Sequence, residues 1–203
     1  MGSIELWNDA EKALSNALEA NNLKYKINPK DGAFYGPKID VNIKDALNRN
    51  WQLATIQLDY QTPANFDLTF EGSDGKKHPP VMIHRAIYGS FERFTGIITE
   101  HFGGNFPVWL CPIQVAVMNI TESQQDYVNL VNEELQKSGI RSYADIRNEK
   151  IGYKIREAEN KKIPYMIILG DKEREENVIS VRQHLKGDIG KFVLKEFIQN
   201  VIL

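Results

Sequence analysis

The run His84-Arg85-Ala86-Ile87-Tyr88-Gly89-Ser90-Phe91-Glu92-Arg93-Phe94 places an imidazole, a glycine turn, a hydroxyl and a guanidinium in one short stretch. Val81-Met82-Ile83 ahead of it is an apolar run behind Pro79-Pro80 and reads as a buried strand. From Ser90 the period turns helical, with Phe91, Phe94, Ile98 and Phe102 on one face. Gly89 lets a ligand approach the backbone, and Ser90 is placed to cap the helix. Arg93 leaves the first turn with a planar donor fork suited to phosphate. The arrangement is a nucleotide site in outline. Taken alone, Gly-Ser-x-x-Arg is more often a plain turn followed by a solvated arginine.

These groups need a sheet to hold them. Ile4 to Ala20 carries Trp7, Ala10, Leu14 and Leu18 at helical spacing, with Ser3 as a candidate cap and Asn21-Asn22 as a stop. Lys24-Tyr25-Lys26-Ile27 alternates, Asp31-Gly32 is a turn, and Ala33-Phe34-Tyr35 resumes extended structure before Gly36-Pro37, which predicts a hairpin. Ile39 to Ile43 alternates. Trp51 to Tyr60 alternates again, with Gln52, Thr55, Gln57 and Asp59 among apolar residues, as antiparallel strands do. Gly72-Ser73-Asp74-Gly75 is a turn, and the helix from Ser90 ends at Gly103-Gly104. Asn105 to Pro112 is a proline-bracketed connector, so a domain boundary is expected near Leu110.

After the connector, strands and helices alternate. Strands are expected at Ile113 to Met118, Arg141 to Ala144, Tyr165 to Leu169 and Val178 to Gln183, and helices at Ser123 to Lys137, Glu149 to Lys161 and Gly190 to Leu203. That order predicts an α/β layer structure on a mixed, largely parallel sheet. The strand-rich, antiparallel first part reads as α+β.

With 203 residues, 42% hydrophobic and 26% charged, the chain can hold one large or two small globular domains. Its net charge of -2 gives no overall basic field, so an RNA site must be a local patch. Arg147 to Lys162 supplies one, with six basic side chains against three acidic. Lys150, Lys154 and Lys161 fall on one side of the expected helix, opposite Ile151, Ile155 and Ala158; a solvated helix face fits the same pattern. The single cysteine, Cys111, excludes an internal disulfide and a CxxC metal site. No apolar run approaches membrane length and no signal-like segment opens the chain, so a cytoplasmic protein without a membrane partner is expected. Met1-Gly2-Ser3 reads as an expression leader, which suggests an excised fragment.

Gly89-Ser90-Phe91-Glu92-Arg93-Phe94 after a strand resembles motif 3 of class II aminoacyl-tRNA synthetases, and His84-Arg85-Ala86-Ile87 before it resembles the threonyl-tRNA synthetase form. Similar strings run from Gly32 almost to the end. The resemblance implies that Arg93, with Gly89 and Ser90 at the turn, reaches the γ-phosphate of ATP, where a preorganised guanidinium stabilises charge. It places Gln52, Thr55 and Gln57 on the strand facing the nucleotide, and Tyr35 and Lys38 at the threonine and acceptor-end pocket. Without the family, those strand residues would face water and Tyr35 would be a hairpin residue. A lone histidine such as His84 is more often a hydrogen-bonded core residue. In the resemblance it matches the third protein ligand of a zinc that binds the amine and hydroxyl of threonine, which rejects the isosteric valine. The other two ligands lie upstream in the family, as do motifs 1 and 2. These 203 residues are therefore expected to lack zinc and to be catalytically incompetent.

Ala144 to Glu157, Pro164-Tyr165-Met166 and Gly170-Asp171-Lys172-Glu173 resemble the anticodon-binding domain shared by threonyl, prolyl, histidyl and glycyl enzymes. There Asn148, Glu173 and Arg182 match readers of an anticodon ending in G and U, with Lys162 as a backbone or base contact. Arg182 taken alone is an outward strand residue.

The expectation is thus an α+β antiparallel catalytic-domain remnant over 4–110, followed by an α/β anticodon-binding domain over 111–203. The parent would ligate threonine to tRNA(Thr) with ATP, Mg2+ and one Zn2+, as a homodimer. The fragment would recognise the anticodon, and its cut sheet would be covered by a second chain or by the helix at Trp7, Leu14 and Leu18. The alternatives are an accessory tRNA-binding protein built from the same parts and a nucleotide-binding regulator.

Overall fold

The computed structural model describes residues 4–199. They belong to two compact units, Met1–His101 and Phe102–Leu203. The expectations for Met1-Gly2-Ser3, including the Ser3 cap, and for the last turn of the terminal helix lie outside the described residues.

In the first unit, α1 (Ile4–Ala20) buries Ala10 and half-buries Leu6, Trp7, Leu14 and Leu18. Strands β1 (Lys38–Lys44) and β2 (Asn50–Asp59) pair antiparallel through a turn at Asp45 to Arg49. That turn is held by Asp45, whose carboxylate accepts from the Leu47 and Arg49 amides and from Trp51 Nε1. Helix α2 (Gln61–Asn65) follows, and β3 (Phe70–Glu71) and β4 (Lys77–His78) form a small ribbon about the Gly72-to-Gly75 turn. Strand β5 (Met82–Ala86) completes an antiparallel sheet in the order β1-β2-β5, and α3 (Phe91–Phe102) leaves it through Gly89.

Two expectations need correction here. Lys24 to Ile27 is not a strand: it lies exposed outside any sheet, and only a bridge between Ala33 and Gly36 marks the turn before β1. Four alternating residues with no apolar face to cover do not make a strand. In α3 the buried side chain is Ile97, while Phe91 is 92% exposed, so the apolar stripe begins a turn later than expected.

In the second unit a 3-10 turn at Val108–Leu110 precedes β6 (Val115–Asn119), α4 (Gln125–Lys137), β7 (Ser142–Asp145) and α5 (Ile151–Asn160). Then come β8 (Tyr165–Leu169), α6 (Asp171–Glu176), β9 (Ile179–Gln183), β10 (Gly187–Phe192) and α7 (Leu194–Phe197). The sheet order is β10-β9-β8-β6-β7, with β7, β6 and β8 parallel and β9 and β10 antiparallel. The predicted terminal helix from Gly190 starts only at Leu194. Gly190, at φ +105 and a register shift, belongs to β10, because Phe192 and Ile189 pack on the sheet core. Helix α6 was not foreseen. The connector bonds into the second unit: Arg141 donates to Cys111 O at 2.9 Å and to Trp109 O at 2.7 Å, and Gln114 donates to Val108 O at 3.0 Å.

The faces of this sheet differ. Val115, Val117, Tyr165, Ile167, Leu169, Ile179 and Val181 point to one face, packed with Val128, Val131 and Leu135 of α4 and Phe197 of α7. Ala116, Met118 and Met166 point to the other, where α5 covers them with Ala158, Ile151 and Ile155. One helix cannot cover five strands, so the part of that face on β8 and β9 stays open.

Candidate functional site

The strand, turn and helix of the first unit assemble as the spacing predicts. Gly89 has φ +72, a conformation in which a side chain is strained, and its position above Leu53 O keeps the turn close to β2. Ser90 Oγ accepts from the Arg93 amide at 3.2 Å and closes the first helical turn. Arg93 Nη1 donates to Gln52 O at 3.2 Å, and its guanidinium lies 6.0 Å from the Trp51 ring centroid. The charged fork is therefore held over β2 by the backbone and an aromatic ring, not by a counter-charge.

Gln52, Thr55 and Lys38 converge on one acceptor that the sequence reading missed. Asp40 on β1 accepts from Gln52 Nε2 at 2.7 Å, from Thr55 Oγ1 at 2.8 Å and from Lys38 Nζ at 2.6 Å. Residues 52 and 55 would sit on opposite faces of a regular strand. They share one because the register shifts between Val41 and Asn42, where Leu53 has no partner and bulges.

Tyr35, Gln57 and His84 form a second group. Gln57 and His84 are cross-strand neighbours on β2 and β5, Tyr35 OH donates to Gln57 Oε1, and the Tyr35 and His84 rings are 5.6 Å apart. Tyr35 reaches them because Gly36 lies against β2: a Cβ there would stand 1.8 Å from Leu58 O. His84 Nε2 faces Asp59 Oδ2 at 2.8 Å, and Asp59 Oδ1 accepts from the Gln61 and Thr62 amides at 2.9 Å each. Burial opposes the charge on Asp59, but its hydrogen bonds with Thr62, His84 and the Gln61 amide outweigh it and hold the carboxyl well below the usual carboxylate range. Asp59 is thus an acceptor only, so His84 donates to it from Nε2 and turns Nδ1 away from it. A metal-binding imidazole is commonly oriented this way. Among the described residues no three His, Cys, Asp or Glu side chains are grouped to hold a metal ion.

In the second unit, two of the four predicted RNA residues come together. Glu173 on α6 and Arg182 on β9 line one cavity of about 220 Å³ on the open half of the sheet, with Ile120, Ile168, Ser180, Val181 and Asp188. Glu173 accepts from Ser180 Oγ at 2.9 Å and from the Gly170 amide at 3.0 Å, with Lys191 Nζ at 3.3 Å. Burial works against its charge, but these bonds prevail and keep it below the usual range, so it is ionised at neutral pH. Arg182 Nε is buried without a partner, an orphan donor at the cavity wall. Asn148 is exposed in the loop after β7. Lys162, at φ +55 just beyond α5, does not line the cavity; its Nζ donates to Gly103 O.

Lys154 also differs from its expected place on a solvated face. It is 1% exposed, and its Nζ donates to Asn119 Oδ1 at 2.8 Å, Asn119 O at 3.2 Å and Asp145 O at 3.1 Å. Ile155 and Ala158 had marked the buried side correctly, but the Lys150 to Lys154 spacing carries the second lysine inward. A lysine inside a charged helix gives no local signal of burial; its acceptors are the carbonyls of Asn119 and Asp145 and the Asn119 side-chain amide.

An antiparallel sheet that presents an arginine over a strand–turn–helix, joined in one chain to an α/β unit with an open sheet face, defines a class II aminoacyl-tRNA synthetase. Residues 3–102 match the family model described as the tRNA synthetase class II core domain (G, H, P, S and T), and residues 114–202 match the anticodon binding domain. The chain belongs to the threonine–tRNA ligase family and corresponds to the C-terminal portion of its members. It is 58% identical over 202 residues to the threonine–tRNA ligase of Syntrophomonas wolfei, covering 100% of this chain and 32% of the relative. With that of Clostridium tetani it shares 60% identity over 198 residues, covering 98% and 31%. The chain thus spans about a third of the length of the curated relatives it matches. A crystal structure of the RNA binding domain of threonyl-tRNA synthetase from Cryptosporidium parvum superposes with a TM-score of 0.90 at 39% identity, over 98% of this chain and 50% of that one. No helix among the described residues is long and apolar enough to cross a membrane.

Proposed function

We propose that this chain supplies a threonine–tRNA ligase with the arginine side of its ATP site and with its reader of the tRNA(Thr) anticodon. In the whole protein, threonine is activated with ATP and Mg2+ and joined to tRNA(Thr), in a cytoplasmic homodimer. Zinc would require ligands besides His84. By themselves the 203 residues bind RNA without forming the adenylate.

The observation that carries the reading is the cavity at Glu173 and Arg182. A fixed carboxylate, a hydroxyl and a guanidinium with an unpartnered Nε face one open half-sheet, which suits the mixed donors and acceptors of a splayed base edge. The Cryptosporidium parvum relative is described as an RNA binding domain, which supports it. For the nucleotide side, the support is Arg93, held in place before any triphosphate arrives, so that little reorganisation accompanies binding.

The test is a titration with an anticodon stem-loop ending in G and U and with base-swapped loops. The cognate loop should bind best, and Arg182→Ala or Glu173→Ala should cost it about 1–3 kcal/mol while hardly changing the swapped loops. Equal losses for all loops would remove these residues from base reading. In the same preparation threonine-dependent pyrophosphate exchange should stay at background; measurable exchange would overturn the proposed incompetence.

A further inference from the structure

We propose that Lys154 is a positioning residue that holds the Asn148 loop in its reading pose without touching RNA. The inference rests on the anticodon reading above and assigns the support of one part of that site.

Lys154 is among the largest fully buried side chains of the chain, and it reaches up from α5 to the carboxyl ends of two neighbouring parallel strands. On β6 it meets both oxygens of Asn119; on β7 it meets the carbonyl of Asp145. Those two residues are where the candidate RNA elements leave the sheet. Ile120, next to Asn119, lines the Glu173 and Arg182 cavity, and Asn148 lies three residues beyond Asp145. The ammonium therefore fixes the spacing between the two halves of the site.

The halves depend on it unequally. Glu173 and Arg182 sit on α6 and β9 and are braced by Ser180, the Gly170 amide and Lys191, none of which involves Lys154. The loop from Ile146 to Lys150 has no regular structure, and all five of its residues are exposed. It is held at its root, where Asp145 gives its carbonyl to Lys154 and its carboxylate to Arg147, which also pairs with Glu157 of α5. Three hydrogen bonds satisfy the ammonium, and among the described residues no carboxylate lies within ion-pair distance of it. With no carboxylate to neutralise, the ammonium serves these three oxygens, and removing it alone would leave them buried without their donor. The role left for the charge is geometric: it ties two carbonyl ends that packing alone would leave free to slide.

The experiment compares Lys154→Met with the unaltered 203-residue chain, using the cognate stem-loop and loops with each reading base swapped singly. Asn148→Ala and Arg182→Ala first identify which swap penalty belongs to which reader, each about tenfold or more. Lys154→Met should reduce the penalty at the Asn148 base to about threefold or less and leave the Arg182 penalty intact, with a lower melting temperature that still leaves the chain folded at the assay temperature. Asn119→Ala, which removes one of the three acceptors, should act in the same direction more weakly, and it covers the case in which Lys154→Met fails to fold. Retention of both penalties in a folded Lys154→Met chain, or equal loss of both, would overturn the proposal. Absence of any swap penalty in the unaltered chain would instead overturn the anticodon reading, and this inference with it.

Discussion

The two units hold their candidate sites by different means. In the second, Val115 to Met118 are all fully buried, because a strand between parallel neighbours is covered on both faces. In the first, β5 alternates and leaves Ile83 63% exposed, and few apolar residues of that unit are fully buried. The second unit's readers stand on a packed core. The first unit's polar residues instead hang on two carboxylates, Asp40 for Lys38, Gln52 and Thr55, and Asp59 for His84. The second sheet rests on a packed core while the first relies more on its carboxylates, so core mutation and acid should separate the two units.

The largest separation is expected from paired core changes. Ile167→Ala removes a fully buried side chain from the centre of the second sheet and should destabilise that unit by about 3–4 kcal/mol, whereas Ile83→Ala should stay within about 0.5 kcal/mol. Denaturation followed by fluorescence can read the units apart, since Trp7 and Trp51 lie in the first and Trp109 in the second. A loss at Ile83 as large as at Ile167 would show that the first unit's open face is packed in solution, and sedimentation would then reveal whether a second copy covers it.

A smaller effect, of opposite selectivity, is expected from acid. Asp59 has a depressed folded-state pKa, so its stabilising contribution is complete above the ordinary carboxylate value near 3.9 and disappears as pH falls through that value towards the folded one. The first unit should therefore lose stability below about pH 4 beyond what the packed second unit loses. Asp59→Asn should cost the first unit about 1–3 kcal/mol at neutral pH and flatten this acid dependence. It should also free the His84 ring to exchange tautomers, visible in its nitrogen chemical shifts. An unchanged acid profile in Asp59→Asn would place the acid-sensitive group elsewhere in the first unit, Asp45 being the first candidate, since its hydrogen bonds with Trp51 and Arg49 hold it down against burial.

Local patterns revealed the elements that bury alternate or helical faces. Strands β1, β2, β6 and β8 and helices α1, α4 and α5 stand close to where periodicity put them, because each has its own apolar stripe. What escaped depends on distant partners. The bulge that puts Gln52 beside Thr55 is visible only against β1, and the burial of Lys154 only against Asn119 and Asp145. Asp40 was within reach of the sequence, since alternation sets it on the Lys38 face of β1, but a carboxylate in a half-exposed strand carries no sign that it gathers three donors. Helix α6 was missed because its six residues are all charged and have no apolar period to detect.

The smallest expected effect concerns Lys162 and tests the claim that base reading is confined to the open half-sheet and the Asn148 loop. The family resemblance makes Lys162 a backbone or base contact. In the folded unit it follows α5 and leads into the amino end of β8, where its ammonium serves Gly103 O, just ahead of the connector. Of the readers, Asn148 lies beyond the carboxyl end of β7 and Glu173 after the carboxyl end of β8, while Arg182, paired with Met166 near the amino end of β8, lines the same cavity as Glu173; Lys162 lines no part of it. Lys162→Ala should therefore leave cognate affinity and its salt dependence unchanged, and lower stability by only about 0.5 kcal/mol, the worth of one exposed hydrogen bond. Lys150→Ala, in the exposed loop beside Asn148, should by contrast weaken every stem-loop alike and reduce the salt slope by about one. A uniform affinity loss in Lys162→Ala would mean that the RNA backbone runs past the carboxyl ends of the strands to the connector. The site would then span both ends of the sheet, and the division between a reading end and a connector end would fail.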